Sequence, residues 1–498
     1  MLQSKNITAT TIIIIASGLI LRIVALNDPI TYDEAYTYIA FASHSVWAAV
    51  SDYSLPNNHI FHSVLVFFST SLFGNALWAL RLPAFLAGVG MILAAYAFGK
   101  TAYNEETGLV GATLVAYMPA VITYTTDARG YSLVGLFTLI VFWLSARLAG
   151  QQPAARDWAF LAIATALGLW TIPIMLYPSG AAYLWLAISI ISSPSPTGKW
   201  KMMKAWLFSG LGAGALTLAL YVPALRVSGW HTIFANNFVQ PMPLDGYFTS
   251  LIWIRISDTW QTWMKAAPAF MPWILTIGVI LSLAFHRQIQ PGRVSLSLTM
   301  LAWVTLYVIL RRPSAFDRFW SWMLAPFLVW AAAGLCFGAS QLTAWAGTLG
   351  APKAGLTARQ PQSGKIRAEQ ILVLASLIFI LVSTGAAIPS IPTRWKKQSN
   401  HQAMAIALHD VLRPGDRILV TAPVDAPLWY YLERAGVPET YWRPRNDFSR
   451  AFVVRAASQS IEKVIRQNRL SPEVFDLQNA HELGRIGQIF VYECVPKR

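Results

Sequence analysis

Charge is the scarcest thing in this chain. Only 12% of its 498 residues are Asp, Glu, Lys or Arg, where soluble domains carry about 25%. So few ionised groups cannot coat a water-exposed surface of that length, and a wholly soluble fold is excluded. Acid is scarcer than base: 23 Asp and Glu stand against 38 Lys and Arg, for a net charge of +15. The two cysteines, Cys336 in an apolar run and Cys494 in the tail, give no disulfide framework, and a thiolate metal site is less expected still. Neither a Gly-rich dinucleotide loop, nor a basic–aromatic nucleic-acid module, nor an internal repeat is evident. The positive balance is therefore read as basic cytoplasmic loops and contacts to anionic lipid.

What is there is hydrocarbon. Hydrophobic residues make up 55% of the chain, with 21 Trp. Apolar runs near or above the roughly 18-residue membrane threshold recur through the first part. The chain reads as a mainly α, polytopic membrane protein with a soluble tail. Its first run, Thr10 to Leu26, is followed by Asn27-Asp28-Pro29 and no small-residue cleavage site, so it reads as an uncleaved anchor. Later runs are Trp78–Phe98, Gly108–Tyr124, Tyr131–Ala149, Trp158–Pro173, Ile174–Ile191 and Ala205–Val222. Pro268–Phe285, Val294–Leu310, Phe319–Phe337 and Ile371–Ile388 complete a set of about eleven spans.

Ile60–Gly74 is short for a crossing and is interrupted by His62 and hydroxyl residues, so it reads as an interfacial or re-entrant helix. With that choice and an inside N-terminus, Lys and Arg favour the cytoplasmic loops, among them Lys100, Arg147, Lys199, Lys201, Lys204 and Arg287. Asp33, Asp127, Arg318 and the tail then face outward. The expected division is a membrane domain over 1–390, with its first outer loop at 27–77, and an extracytoplasmic α/β domain over 391–498. A linker is expected at Gln341–Glu369. In the tail, strands are expected near 417–420, 451–455 and 486–495, and helices near 426–435 and 460–469.

Three outward-facing clusters carry polar chemistry. The first joins Asp33-Glu34 to Asn57-Asn58-His59 and His62. Asp33 is read as a base, with Asn58, His59 and His62 holding an acceptor hydroxyl or a leaving phosphate. The alternatives are that Asp33 or Thr31 only caps the following helix, and that the histidines are interfacial residues satisfied by water or backbone. Glu34 points away from Asp33 on a helix, so it binds substrate or a metal, or caps structure. The second cluster is Thr125-Thr-Asp-Ala-Arg-Gly-Tyr-Ser132, where Asp127, Arg129 and Tyr131 either anchor a turn or position a sugar. The third runs from Arg311-Arg312 to Asp317-Arg318. Guanidinium groups at a span boundary suit an anionic headgroup, and interfacial anchoring beside Trp320 and Trp322 is the competing reading. Arg22 reads as a snorkelling residue at the end of the first span.

These pieces in this order resemble the GT-C membrane glycosyltransferases. The closer likeness is to the branch of protein O-mannosyltransferases and the bacterial transferases that add aminoarabinose to lipid A. It rests on Asp33-Glu34-Ala-Tyr, Pro56-Asn-Asn-His-Ile, Phe73-Gly-Asn-Ala-Leu-Trp-Ala-Leu-Arg-Leu-Pro83, Asp127-Ala-Arg-Gly-Tyr-Ser and Asp317-Arg-Phe-Trp. The resemblance implies a polyprenyl-phosphate-sugar donor, Asp33 as general base, and Asp127 and Arg318 lining the donor and acceptor region. It also implies the cytoplasmic membrane of a bacterium and an acceptor that is an envelope glycolipid, glycan or protein. Relatives often carry a basic residue or tandem prolines where this chain has Asn57-Asn58-His59. No cofactor is expected to be required, because a lipid monophosphate needs Mg²⁺ or Mn²⁺ less than a nucleotide diphosphate does. A lipid-linked-sugar flippase and a non-catalytic polysaccharide-assembly protein are the competing functions. The tail aromatics Trp429, Tyr430, Tyr431, Tyr441 and Trp442 would serve the latter by stacking on sugar rings, and equally suit a core position. For a catalytic membrane domain, chemistry is expected to survive loss of the tail.

Overall fold

The computed structural model describes residues 2–150, 154–193, 198–234, 240–291, 293–349 and 399–497. The expected span Ile371–Ile388 lies outside the described residues, as does most of the expected linker. The chain divides into two compact units. Met1–Ala25, Val50–His62 and Leu82–Ile391 form the first; Leu26–Ala49, Ser63–Arg81 and Pro392–Arg498 form the second.

Up to residue 349 the described elements are helical. They are α1 (Leu2–Ala25), α2 (Tyr32–Thr37), α3 (Val46–Ser51), α4 (Ile60–Phe73), α5 (Leu77–Ala102), α6 (Glu105–Tyr117), α7 (Pro119–Thr125), α8 (Tyr131–Leu148) and α9 (Ala155–Thr171). There follow α10 (Leu176–Ser192), α11 (Lys199–Val227), α12 (Trp230–Phe234), α13 (Ile252–Met264), α14 (Met271–Ala284), α15 (His286–Ile289), α16 (Leu296–Arg311) and α17 (Ser321–Leu349). Among the described residues, Leu77–Ala102, Tyr131–Leu148, Pro173–Ser192, Lys199–Val227 and Asp317–Trp345 are long and apolar enough to cross a bilayer. The pair α6–α7, bent by 67°, adds a sixth if it is one broken span. Thr10–Ala25, Ile60–Phe73, Met271–Ala284 and Leu296–Arg311 are shorter apolar helices. Length and composition thus give 5 crossings, or 6 with the bent pair, where the sequence pattern gives about eleven. The linker expected from Gln341 begins instead as the last turns of α17.

The bend between α6 and α7 explains Arg22. Pro119 has no N–H for the Val115 carbonyl, and the change of direction frees further carbonyls. Arg22 donates Nη2 to Val115 O at 3.1 Å, Nη1 to Ala116 O at 2.9 Å and Nη1 to Gly18 O at 3.0 Å. Its Nε reaches Thr125 Oγ1 at 3.0 Å, and the side chain is wholly buried. It does not snorkel. The guanidinium replaces the helix bonds that proline removes, which apolar surroundings make compulsory. Elsewhere in the first unit α14 and α17 cross through glycine. A Cβ on Gly334 would lie 1.8 Å from Gly278 O, so only a small residue lets these backbones meet. Cys336 of α17 is buried, as is Cys494 in the second unit, and both are free thiols.

The second unit is built on a four-stranded sheet with α18 (Asn400–Val411), α19 (Asp425–Arg434) and α20 (Ile461–Gln467). Its strands are β1 (Asp416–Val420), β2 (Arg450–Ala456), β3 (His481–Ile486) and β4 (Ile489–Cys494), in the order β1-β2-β4-β3. Strands β1 and β2 are parallel and joined through α19, as a helical crossover requires. The single strand expected over 486–495 is instead the turn and second arm of an antiparallel hairpin. Gly487, at φ 60°, makes the two-residue turn that sends β3 into β4. Leu419, Ala451, Val453, Val464, Ile465, Phe475 and Cys494 form the buried core, which explains the apolar reading of the two strand runs. Asp416 pairs with Arg450 at 2.7 Å and Arg450 with Glu493 at 3.1 Å, tying β1, β2 and β4 in register.

Candidate functional site

In the first unit the loop before α4 is folded by its own side chains. Asn58 donates its amide to Asp52 O at 2.6 Å and its backbone N–H to Leu55 O at 3.2 Å. Tyr53 and Ile60 then pack with Tyr221 and Ala224 of α11. Asn58 is buried and bonded within the loop.

This loop delivers His59 to the turn before α8. The Gly130 N–H donates to His59 Nδ1 at 2.8 Å, and Arg129 donates Nη1 to Asn57 O at 3.1 Å. Tyr131 meets the His59 ring edge-on at 5.0 Å, and the Arg129 guanidinium lies 5.8 Å from the Tyr131 ring. His59 is fully enclosed. Burial first, then Arg129, His62 and Arg318, hold it well below its ordinary value, so the ring is neutral. Because Nδ1 accepts from Gly130, the ring proton sits on Nε2. That Nε2–H faces Arg129 Nη2 at 3.3 Å. Two donors do not bond each other; side by side they present N–H groups to any oxygen that can accept from both. The arrangement is suited to an oxyanion.

Gly130 is obligatory here. A Cβ would lie 2.7 Å from Thr171 Cγ2, 2.9 Å from His59 Cβ and 3.1 Å from His59 Nδ1. Gly130→Ala is expected to push His59 off the Gly130 N–H and lower anion binding roughly tenfold, as the loss of one charge-assisted contact would. Titration of the purified chain with a polyprenyl phosphate checks this, and unchanged affinity would remove His59 from anion binding.

The remaining expected residues separate. Arg318 is close enough to act electrostatically on His59, and Asp317 stands beside it in the short 3-10 turn before α17. Asp127 is in the same turn as Arg129, whose N–H donates to Asp127 O at 2.7 Å. His62 is fully buried one helical turn beyond His59. Arg312 has φ 41° and donates Nε to Met242 O at 2.9 Å, while Met242 N–H donates back to Arg312 O. It ties the 240–246 loop to the end of α16. Arg311, next to it, is exposed.

In the second unit the acid pair opens α2. Thr31 is the N-cap, and it forms a capping box with Glu34. Arg81 grips both Glu34 oxygens, Nε to Oε1 at 2.7 Å and Nη2 to Oε2 at 2.8 Å. Arg81 also donates to Leu26 O at 3.0 Å and Asp28 O at 2.7 Å. Glu34 is 1% exposed. The geometry agrees with the capping alternative for Glu34, whose two oxygens both face a buried guanidinium. Asp33, the adjacent residue, is on a different face and half-buried. The sequence gives Arg81 no role beyond its place in the Phe73–Pro83 run; an arginine inside Leu-Trp-Ala-Leu-Arg-Leu-Pro was the available signal. Among the described residues no three His, Cys, Asp or Glu side chains gather in a metal-binding group.

The fold resembles that of ArnT, in line with the GT-C resemblance read from the sequence motifs. Residues 58–225 match the family described as dolichyl-phosphate-mannose-protein mannosyltransferase. ArnT from Cupriavidus metallidurans in the apo state superposes with a TM-score of 0.63 at 14% identity, over 98% of each chain. The same protein bound to undecaprenyl phosphate gives 0.64 at 14% identity, again over 98% of each chain. The arabinofuranosyltransferase AftD from Mycobacteria gives 0.50 at 14% identity, over 97% of this chain and 41% of that one. No curated protein matches by sequence.

Proposed function

We propose that this protein is a membrane glycosyltransferase that moves a hexose or pentose from a polyprenyl-phosphate donor to an envelope glycolipid, glycan or protein. The observation that carries the reading is the paired donors of neutral His59 and Arg129, with Arg318 adding positive potential. A phosphate monoester leaving group needs such donors as its charge develops. A fold-level relative has been solved with undecaprenyl phosphate, which supports a lipid phosphate as the anion.

In the proposed reaction Asp33 takes the proton of an acceptor hydroxyl. The oxygen attacks the anomeric carbon from the face opposite the phosphate, and the carbon–oxygen bond to phosphate breaks. The sugar is inverted and polyprenyl phosphate departs, its anion met by His59, Arg129 and Arg318. Asp127, Tyr131 and Asp317 serve the donor sugar, with His62 and Arg311 at the margin. The proposed setting is a cytoplasmic membrane crossed about eleven times, with residues 27–77 and 391–498 on the outer side. No metal is needed in this scheme.

A flippase is less well supported. The ionisable group found deep in the first span, Arg22, is bonded to backbone carbonyls and has no transport role in view. The deciding experiment is mass spectrometry of envelope glycolipids and glycans from cells with and without the protein. One glycan or lipid is expected to lose a single hexose or pentose. If every sugar is unchanged while labelled lipid crosses reconstituted vesicles, the transferase reading fails.

A further inference from the structure

Helix α2 has only six residues, too few to hold itself by backbone bonds. Within the second unit it is held at both ends by α19. At its start, the Tyr32 hydroxyl donates to Asp425. At its end, the Tyr38 hydroxyl donates to Glu433 Oε1 at 2.7 Å. Asn75 Nδ2 reaches the same oxygen at 3.3 Å, and Tyr430 donates its hydroxyl to Asn75 O at 2.9 Å. The Tyr38 and Tyr430 rings meet edge-on at 5.9 Å. Just ahead of α2, the Ile30 N–H donates to Tyr431 at 3.4 Å. Tyr430 and Tyr431 are buried, so neither offers a face for a sugar ring. Two bonds a helix-length apart fix rotation about the α2 axis, and the Arg81–Glu34 pair fixes another side. Rotation of α2 is the motion that would re-aim Asp33.

We propose that α19 is a positioning element for Asp33, with Glu433 and Asp425 as its positioning residues, so that the C-terminal domain is part of the catalytic apparatus and not a detachable module. This rests on the reading of Asp33 as general base. It reverses the expectation that chemistry survives loss of the tail.

The test uses the full chain with Glu433→Ala and Glu433→Gln, each alone and combined with Asp33→Asn. Transfer is read in cells as the mass-identified product, and hydrogen exchange over residues 31–42 is read on purified protein. Glu433→Ala is expected to cut transfer roughly ten- to hundredfold, the scale of a small misplacement, and to raise exchange over 31–42 with the unfolding midpoint unchanged. Glu433→Gln is expected to restore most transfer, because its amide oxygen still accepts from Tyr38 and Asn75. In the Asp33→Asn background Glu433→Ala is expected to add no further loss. Unchanged exchange over 31–42, no rescue by Gln, or an equal further loss without Asp33 overturns the proposal and leaves the base assignment standing. Near-normal transfer by Asp33→Asn alone overturns both.

Discussion

Asp33→Asn is expected to lower sugar transfer by at least about two orders of magnitude, the usual worth of a general base, while the protein still inserts and folds. Asparagine keeps the size and the helix position of aspartate but cannot take a proton. Glu34 cannot substitute, because its two oxygens are occupied by Arg81 and it is buried in the capping box. The loss is therefore expected in turnover, with lipid-phosphate affinity unchanged, since the proposed anion donors are His59, Arg129 and Arg318. Asp33→Glu is expected to fall between, with a base present but displaced by one methylene. The measurement is the initial rate of product formation beside undecaprenyl phosphate binding on the same preparations. An Asp33→Asn protein with near-normal rate would remove Asp33 from the chemistry.

Arg22→Leu is expected to cost roughly 2–6 kcal/mol of stability. Two buried acceptors would lose their partner, at about 1–3 kcal/mol each. The carbonyls at stake are those of Val115 and Ala116, at the break between α6 and α7; Gly18 O keeps its bond within α1. Arg22→Lys is expected to be milder, since an ammonium can still serve one or two carbonyls but not the forked set. Thermal unfolding in detergent, followed by intrinsic Trp fluorescence, measures the effect. A Leu variant that melts with the parent would show that the Pro119 break satisfies itself by other means.

These two residues mark what sequence reasoning reached and what it did not. The acid pair was legible because ionised side chains are rare in an apolar chain, and their place next to a span is a local fact. The strand and helix runs of the tail were legible for a similar reason, as alternation and apolar clustering over short windows. Arg22 was not. Its partners outside its own helix are 93 to 103 residues away, and nothing near it in sequence announces a proline-broken helix waiting for a guanidinium. The same holds for Glu34, where the capping box is local but the Arg81 grip is 47 residues distant. In the tail, the β3–β4 hairpin was missed because β3 carries a mostly exposed face with little apolar signal. The tyrosines of α19 left two readings open, sugar stacking or core, because an aromatic run is ambiguous until its neighbours are known; here they are the buried side of a helix.

The enclosure of Cys336 and Cys494 leaves the native thiols beyond the reach of a membrane-impermeant maleimide. A single reporter such as Ser54→Cys, at an exposed position of the 50–62 loop, can thus be labelled in intact cells without first building a cysteine-free background. Sidedness of this loop becomes a one-substitution question, answered on a chain that differs from the natural one by a single oxygen-to-sulfur exchange.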